Sequence, residues 1–293
     1  MLPQSFTPTF LRQLELLNIR SKRSFLGSRQ GGHLSLKRGH GMEFSDYRKY
    51  ELGDHPRYID WGVYARSQRL YVKRFQEEQD ISVLIILDTS ASMNTPQDGA
   101  KWERAKELGL ALAYVALLQQ DSVTLAGLGK KIGPTYKGLK SIHHLAQTLD
   151  TYETAGKIDL QREVVLAASR VRFPGIAVFI SDFLMPIDEI KNAFNVLRSK
   201  NLDLTAIQIL GENDVQPFRG QNSYVAVDSE SNEEVNVAYS PEVQEQYQKY
   251  MQDHWDKLSM YFKGSNINAV QLTAENSISD LVVNKLSKIG LLA

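Results

Sequence analysis

The segment that most constrains the fold of this chain spans residues 81–92. Residues 83–87 are all apolar, a run that predicts a strand buried on both faces, as in a parallel sheet. Asp88, Ser90 and Ser92 follow at intervals of two, and a helical pattern begins soon after. These side chains therefore leave the carboxyl end of a buried strand, where open α/β sheets bind ligands. A carboxylate with neutral oxygens suits Mg²⁺, although Asp and Ser at such a junction also serve as helix caps and turn formers.

Apolar strands alternate with helical patterns to the end of the chain, and this order predicts the fold class. It is α/β, with a doubly wound, mostly parallel sheet of Rossmann type. A second buried strand ends at Ser181 and Asp182 and repeats the arrangement of the first. Segments 224–228 and 234–238 predict an inserted β-hairpin.

The chain is predicted to divide into two regions of different structure. Residues 1–79 are expected to hold an N-terminal helix and a loop-rich extension, and residues 80–293 to form the α/β domain. Within the first region, residues 21–41 are basic and rich in glycine. They approach the phosphate-loop pattern, but His33 and Leu34 replace the required Lys and Ser/Thr. A polar loop is therefore predicted, with a basic surface for an acidic partner as the alternative.

Composition limits the classes of function. The chain has 293 residues, a formal net charge of zero and no cysteine. The neutral balance argues against nucleic acid as a partner, and the lack of cysteine excludes disulfides and thiol nucleophiles. The N-terminus lacks the basic start and apolar core of a signal peptide, and no apolar run approaches the roughly 20 residues that span a bilayer. We therefore expect a cytoplasmic protein without direct membrane insertion.

Residues 41–66 form a dense block in which carboxylates, arginines and aromatic rings alternate. Neither a strand period nor a helix period runs through the block, which predicts a compact, loop-rich element held by charge-assisted hydrogen bonds and aromatic packing. Paired carboxylates could serve acid–base catalysis, but the interleaved arginines favour ion pairing. A surface that docks a partner is the alternative, because Arg, Tyr and Trp are common at interface hot spots. The residues concerned are Glu43, Arg48, Tyr50, Asp54, Arg57, Asp60, Trp61 and Arg66.

Two features of the sequence together resemble one bacterial family. The motif Asp88-Thr-Ser-Ala-Ser92, with a later strand that ends at Asp182, resembles the von Willebrand factor A-type fold and its metal-ion-dependent adhesion site. The block from Glu43 to Arg66 looks like the hallmark of the family called "domain of unknown function 58". Members of that family are typically encoded beside a MoxR-type AAA+ ATPase and have no established enzymatic activity. The resemblance therefore implies a non-enzymatic adaptor that docks the ATPase, or its client protein, in chaperone-like assembly or maturation.

The adhesion-site resemblance also implies a divalent ion, Mg²⁺ or Mn²⁺, at the docking edge. The ligands carried over are Asp88, Ser90, Ser92 and Asp182. The second loop departs from the pattern, because Ile158 stands where a threonine hydroxyl is expected, and Lys157 disfavours a cation if it points inward. Either water or Asp159 fills this gap, or metal binding is weakened or lost until a partner carboxylate completes the shell.

Two other functions stay open on the residues alone. If the metal site is degenerate, the chain is a metal-independent scaffold that docks through residues 43–66. Asp88 and Asp182 could also hold an ion that clamps a phosphoryl group, as in a metal-dependent phosphoester hydrolase. Against that reading, Ser90 stands where a phosphatase loop of the Asp-x-Asp type carries its second carboxylate.

Overall fold

The computed structural model describes residues 2–20, 42–77, 81–95, 99–154, 156, 158–171, 175–217, 223–227, 234–238 and 240–293, with the backbone alone for 42–46, 74–77, 223–227 and 234–238. The chain divides into two units. One comprises residues 1–22 and 80–293, and the other comprises residues 23–79.

The secondary structure of both units is as follows. The strands are β1 (Met42–Lys49), β2 (Tyr71–Glu77), β3 (Ser82–Leu87), β4 (Ser122–Gly127), β5 (Thr135–Lys137), β6 (Gly175–Ser181), β7 (Asp203–Leu210), β8 (Ser223–Val227), β9 (Glu234–Ala238) and β10 (Asn268–Thr273). The helices are α1 (Pro8–Glu15), α2 (Trp61–Ser67), α3 (Ala100–Leu118), α4 (Ile142–Asp150), α5 (Leu160–Ala168), α6 (Ile187–Ser199), the single turn α7 (Glu212–Val215), α8 (Pro241–Gly264) and the π-helix α9 (Asp280–Leu286). Short 3₁₀ helices cover Pro56–Tyr58, Ala91–Asn94 and Leu139–Ser141.

The larger unit is built on a six-stranded sheet in the order β10-β7-β6-β3-β4-β5. Its neighbouring strands are parallel except for β4 and β5, which pair antiparallel at one edge. The predicted α/β class with a mostly parallel sheet is therefore confirmed. Because β3 pairs with both β4 and β6, the strand order reverses beside β3, and the carboxyl ends of β3 and β6 form the topological switch point.

Helices cover both faces of this sheet. Along β3, Val83, Ile85 and Leu87 lie in one apolar layer and Leu84 and Ile86 in the other, and all are buried. The first layer includes residues of α1, α3, α4 and α9, and the second includes residues of α5, α6 and α8. A strand buried on both faces reads as a continuous apolar run, which is why residues 83–87 predicted this central strand.

The smaller unit corrects the expectation of a loop-rich extension. β1 pairs antiparallel with β2, and α2 lies between them in the chain. A register shift between Phe44 and Asp46 interrupts the alternation of β1, and its partner strand lies beyond residue 66, so no local period marks it. The helix α2 begins at an N-cap, because the Asp60 carboxylate accepts hydrogen bonds from the N–H groups of Gly62 and Val63 at 2.9 and 3.0 Å.

Three further features refine the predicted order of elements. β8 and β9 pair antiparallel as a separate two-stranded sheet. The sequence predicts a strand over residues 129–136 and a last helix over residues 278–289. The strand is limited to β5, and the helix contains the wider π-turns of α9. None of the helices within the described ranges is long and apolar enough to cross a membrane.

Candidate functional site

The carboxyl edge of the sheet collects polar side chains from three neighbouring strands. Asp88 follows β3, Ser181 and Asp182 end and follow β6, and Asp214 lies in α7, directly after β7. Their exposed fractions are 1%, 0%, 0% and 9%. The structure therefore brings the two predicted carboxylates, Asp88 and Asp182, into one buried group and adds a third.

Asp88 connects β3 with β6. Its backbone N–H donates to the carbonyl of Ile180 at 2.9 Å, and its Oδ2 accepts from the Ser181 hydroxyl at 2.5 Å. Its Oδ1 accepts from the N–H of Ser90 at 2.8 Å, as in an Asx turn. The Oγ atoms of Ser90 and Ser92 are 3.0 Å apart, within hydrogen-bonding distance. The residues predicted for the first loop thus form a single hydrogen-bonded group.

Hydrogen bonds hold both the backbone and the side chain of Asp182 in place. The Nε2 of the buried Gln208 in β7 donates to the Asp182 carbonyl at 2.6 Å, and the N–H of Leu184 donates to Oδ1 at 3.2 Å. The next residue, Phe183, has a φ of +50°, in the left-handed region that bulky residues seldom adopt. Its N–H donates to the Ser181 Oγ at 2.9 Å. This strained turn keeps the Asp182 carboxylate within the cluster.

The strain at Phe183 is offset by aromatic packing. Its ring centroid lies 5.2 Å from Phe179, 6.0 Å from Phe194 and 6.1 Å from Phe262. All of these rings are fully buried. A residue in a sparsely populated backbone region costs on the order of 1–3 kcal/mol and persists only where its surroundings fix it. Burial of the Phe183 ring among these side chains holds its backbone in the left-handed conformation.

A lysine completes the cluster. Lys101 lies in the first turn of α3, yet only 1% of its side chain is exposed. Its Nζ is 2.9 Å from the Oδ2 of Asp182 and 2.9 Å from the Oδ2 of Asp214. The latter oxygen also accepts from the N–H of Gly211 at 2.8 Å. The macrodipole disfavours a positive charge at a helix N-terminus, and burial disfavours it further, so the two carboxylates are what hold the ammonium there.

The environment of Asp88 favours its neutral form. Burial, and then the charge of Asp182, raise the pKa of Asp88 to about 6, whereas hydrogen bonds from Ser181 and Ser90 act in the opposite direction. Burial also raises the pKa of Asp214, against the lowering effect of Lys101. The cluster contains three carboxyl groups, those of Asp88, Asp182 and Asp214, and only one ammonium. Among these carboxyl groups, that of Asp88 has its pKa raised to about 6.

Lys101 stays charged in this environment. Burial lowers the pKa of Lys101, but the charges of Asp182 and Asp214 outweigh that effect, and the net shift is upward. Tyr247 of α8 closes the cluster from another side, because its hydroxyl donates to the Asp214 carbonyl at 2.8 Å. Burial, followed by the charges of Asp214 and Asp182, raises the pKa of Tyr247 to about 12, so it remains a neutral donor.

The raised pKa of Asp88 gives a prediction for stability against pH. The folded chain binds a proton at Asp88 between about pH 4 and pH 6, whereas the unfolded chain has lost it, so unfolding becomes easier as pH rises through that window. Relative to Asp88→Asn, which cannot titrate, the wild-type free energy of unfolding should fall by on the order of 2 kcal/mol between pH 4 and pH 7. Urea denaturation of both proteins in chelator measures this difference. A difference that is constant or grows with pH contradicts the assignment.

Charged residues of the dense block at 41–66, called the signature block from here on, stabilise the smaller unit. The Nη2 of Arg48 lies 2.5 Å from the Oδ1 of Asp54, and this hydrogen bond lowers the pKa of Asp54. The N–H of Val63, and then Lys73 at 3.1 Å, lower the pKa of Asp60 to about 2. Asp54 and Asp60 are therefore used as ion-pair and helix-cap partners.

Aromatic residues of the same block face solvent. Trp61 is 59% exposed and Tyr64 is 41% exposed, and their rings meet edge to face at 6.0 Å. Of the other predicted residues, Tyr50 is partly exposed, Arg57 and Arg66 are exposed, and the side chain of Glu43 lies outside the described residues. The block thus divides into an internal set of ion pairs and an outward set of aromatic and arginine side chains.

Comparison with known proteins assigns the chain to a family. Residues 46–257 match the family described as "Protein of unknown function DUF58". The chain belongs to this family. Curated relatives of this DUF58 chain include uncharacterized proteins of Mycobacterium tuberculosis (strain H37Rv) and Mycobacterium bovis, each 23% identical over 94% of this chain and 88% of the relative.

Solved structures with a partial likeness to this DUF58 chain include two from Bacteroides. One is the conserved hypothetical protein BatB from Bacteroides thetaiotaomicron, with 17% identity, a TM-score of 0.43, and coverage of 72% of this chain and 98% of that one. The other is an aerotolerance-related membrane protein from Bacteroides fragilis, with 17% identity, a TM-score of 0.40, and coverage of 71% and 99%. Both scores lie below 0.5.

The second loop of this DUF58 chain offers little to a metal ion. Ile158 packs against the apolar layer that contains α5 and α6. Asp159 is the N-cap of α5, and its Oδ1 accepts from the N–H of Arg162 at 3.1 Å. Lys157 lies outside the described residues. Asp159 therefore stabilises a helix end rather than filling the gap left by the missing hydroxyl.

The residues of the edge fit a divalent ion poorly. Ser90 and Ser92 present their hydroxyls together, but both oxygens of Asp182 and of Asp88 already accept hydrogen bonds, one of them from a buried ammonium. No three carboxylate, imidazole or thiolate groups converge for a metal within the described parts of the chain. The predicted ligand set is therefore only partly assembled.

Sequence reasoning missed Lys101 and Asp214. The signal for Lys101 was a lysine in the first turn of a largely apolar helix, a position where its charge opposes the macrodipole. The signal for Asp214 was a carboxylate just after a third strand that ends at the same edge. Both signals become specific only once the strand order is known.

Proposed function

We propose that this DUF58 chain is a non-enzymatic protein-interaction module that works with a MoxR-type AAA+ ATPase or its client in chaperone-like assembly or maturation. It docks through exposed side chains of the signature block and of the adjoining Arg69, here called the basic-aromatic face and comprising Arg57, Trp61, Tyr64, Arg66 and Arg69. The observation that carries this proposal is the 59% exposure of Trp61 at the start of α2. An exposed tryptophan in a segment that also carries exposed arginines has the composition of an interface hot spot.

Charge supports an acidic partner for this face. Between residues 47 and 73 the sequence has six Lys or Arg residues and three Asp or Glu residues. Asp54 and Asp60 are engaged by Arg48 and Lys73. The arginines of the basic-aromatic face are exposed and remain available to a carboxylate-rich surface, to which guanidinium groups bind in bidentate fashion.

The carboxyl edge of the sheet is the alternative docking site. We propose that the larger unit is a von Willebrand factor A-like domain, on the grounds of its sheet and of the Asp-x-Ser-x-Ser motif at the switch point. Asp88, Ser90 and Asp182 are, however, at most 2% exposed. A partner carboxylate cannot reach buried groups that already satisfy one another, so this geometry favours the basic-aromatic face.

Binding measurements with a MoxR-type ATPase from the same organism test the proposal. Trp61→Ala should weaken binding of the nucleotide-free ATPase by at least about 30-fold, the effect of a hot-spot residue. Tyr250→Ala is the matched control, since it removes another exposed aromatic side chain, 67% accessible, from the other unit. That variant should bind as the wild type does, and chelator should change neither result.

The same measurements separate the alternatives. Binding that is lost in Asp88→Ala or in chelator, but kept in Trp61→Ala, would establish the metal-dependent edge instead. Binding that is unaffected by all of these changes would overturn docking through either surface.

A further inference from the structure

We infer that the ammonium of Lys101 takes the place of a divalent ion at the carboxyl edge of this sheet, so that the edge is held together by a cation that belongs to the chain. This inference does not depend on the proposed partner. It rests on the placement of Lys101 between the carboxylates that follow two neighbouring strands.

Lys101 lies between the carboxylates that follow two neighbouring strands. Asp182 follows β6 and Asp214 follows β7, and the Nζ of Lys101 is 2.9 Å from an oxygen of each. A single positive charge thus bridges the segments that follow β6 and β7, next to the switch point between β3 and β6. Among the described residues, Lys101 is the one Lys or Arg that is buried.

The charge of Lys101 disfavours a second cation at this edge. An ammonium buried at a helix N-terminus is disfavoured by both desolvation and the macrodipole. Two carboxylate oxygens, each 2.9 Å from the Nζ of Lys101, offset both effects. A divalent ion beside this ammonium would face like-charge repulsion at short range in a poorly screened interior. The two cations therefore exclude one another.

The side chains at this edge leave few oxygens for a metal ion. Asp182 gives one oxygen to Lys101 and the other to the N–H of Leu184. Ile158 brings no oxygen, and Asp159 caps α5. The loss of the second-loop hydroxyl and the presence of the lysine are consistent with each other, because a site that carries its own cation needs no further oxygen ligand.

Calorimetric titration of the full chain with Mn²⁺ and Mg²⁺ tests the inference. The wild type should show no site-specific binding, and its thermal midpoint should be the same in Mn²⁺ and in chelator. In Lys101→Met combined with Ile158→Thr, the lysine is removed and the hydroxyl supplied, so a single Mn²⁺ site should appear and should be lost on further Asp182→Asn substitution. At free Mn²⁺ about 100-fold above its Kd, the midpoint of this variant should rise by several degrees.

Two controls keep the test decisive. Lys101→Met with Asp214→Asn removes the lysine together with one of its carboxylates, which keeps the formal charge of the cluster and serves if the first variant does not fold. Lys106→Met removes another lysine of α3 and should gain no metal. Wild-type binding of one Mn²⁺ that Asp88→Ala abolishes would overturn the inference, and so would the absence of Mn²⁺ binding in every folded variant that lacks Lys101.

Discussion

Replacing Lys101 with methionine is expected to lower the free energy of unfolding of the larger unit by about 3–5 kcal/mol, the loss typical of breaking a buried ion pair from one side. The change leaves Asp182 and Asp214 buried without their shared cation, and each must then either protonate or draw water into the edge. Denaturant unfolding followed by circular dichroism, at neutral pH and in chelator, measures the loss from the shift in midpoint.

Lys106→Met is the matched control for this stability measurement. Lys106 lies in the same helix, where its Nζ is 2.6 Å from the Oε1 of Glu103 and 5.7 Å from the ring centroid of Trp102. Glu103 is largely exposed, so the pair should contribute less than about 1 kcal/mol. Adding Asp214→Asn to Lys101→Met should restore part of the loss, because it removes one of the unpaired carboxylates. Equal losses at positions 101 and 106 would show that the buried cluster has no special role in stability.

Phe194→Ala is expected to destabilise the larger unit by about 3–5 kcal/mol, as for other buried phenylalanines. The ring of Phe194 is fully buried, with centroids 4.9 Å from Phe262 and 5.6 Å from Phe179. Its removal leaves a cavity beside Phe183, the residue whose left-handed backbone positions Asp182. The same unfolding experiment measures the loss, with Val165→Ala as the control, since Val165 is a 47% exposed residue of α5.

The two positions should differ clearly. Exposed substitutions of the Val165→Ala kind usually change stability by no more than about 0.5 kcal/mol. A Phe194→Ala loss no greater than that of Val165→Ala would mean that the aromatic cluster does not support the turn after β6. Phe194→Leu keeps more of the apolar volume than Phe194→Ala does. It should therefore recover part of the lost free energy of unfolding.

Elements whose signals are local were predicted well from the sequence. Residues 83–87 predicted a strand buried on both faces, and the apolar stripe of residues 100–118 predicted a helix that has those bounds in the structure. Asp88, Ser90 and Ser92 fell at the sheet edge because a residue that directly follows a buried strand has little freedom in where it lies. Within residues 41–66, the predicted ion pairs and aromatic contacts are present, but β1 and α2 were missed, since β1 pairs with β2 across a register shift and a helix, and such pairing leaves no local period.

The sequence by itself determined the α/β class, the central strand and the family, because apolar period and a dense motif are properties of neighbouring residues. Only the tertiary structure decided how the charges of the edge are matched. Lys101 is 81 residues from Asp182 and 113 residues from Asp214, and all three meet only because the strand order places β6 and β7 side by side beneath the start of α3. Ion pairing across such separations depends on the spatial order of the strands in the sheet. The hydrophobic period of a segment does not indicate which buried carboxylate a given lysine will contact.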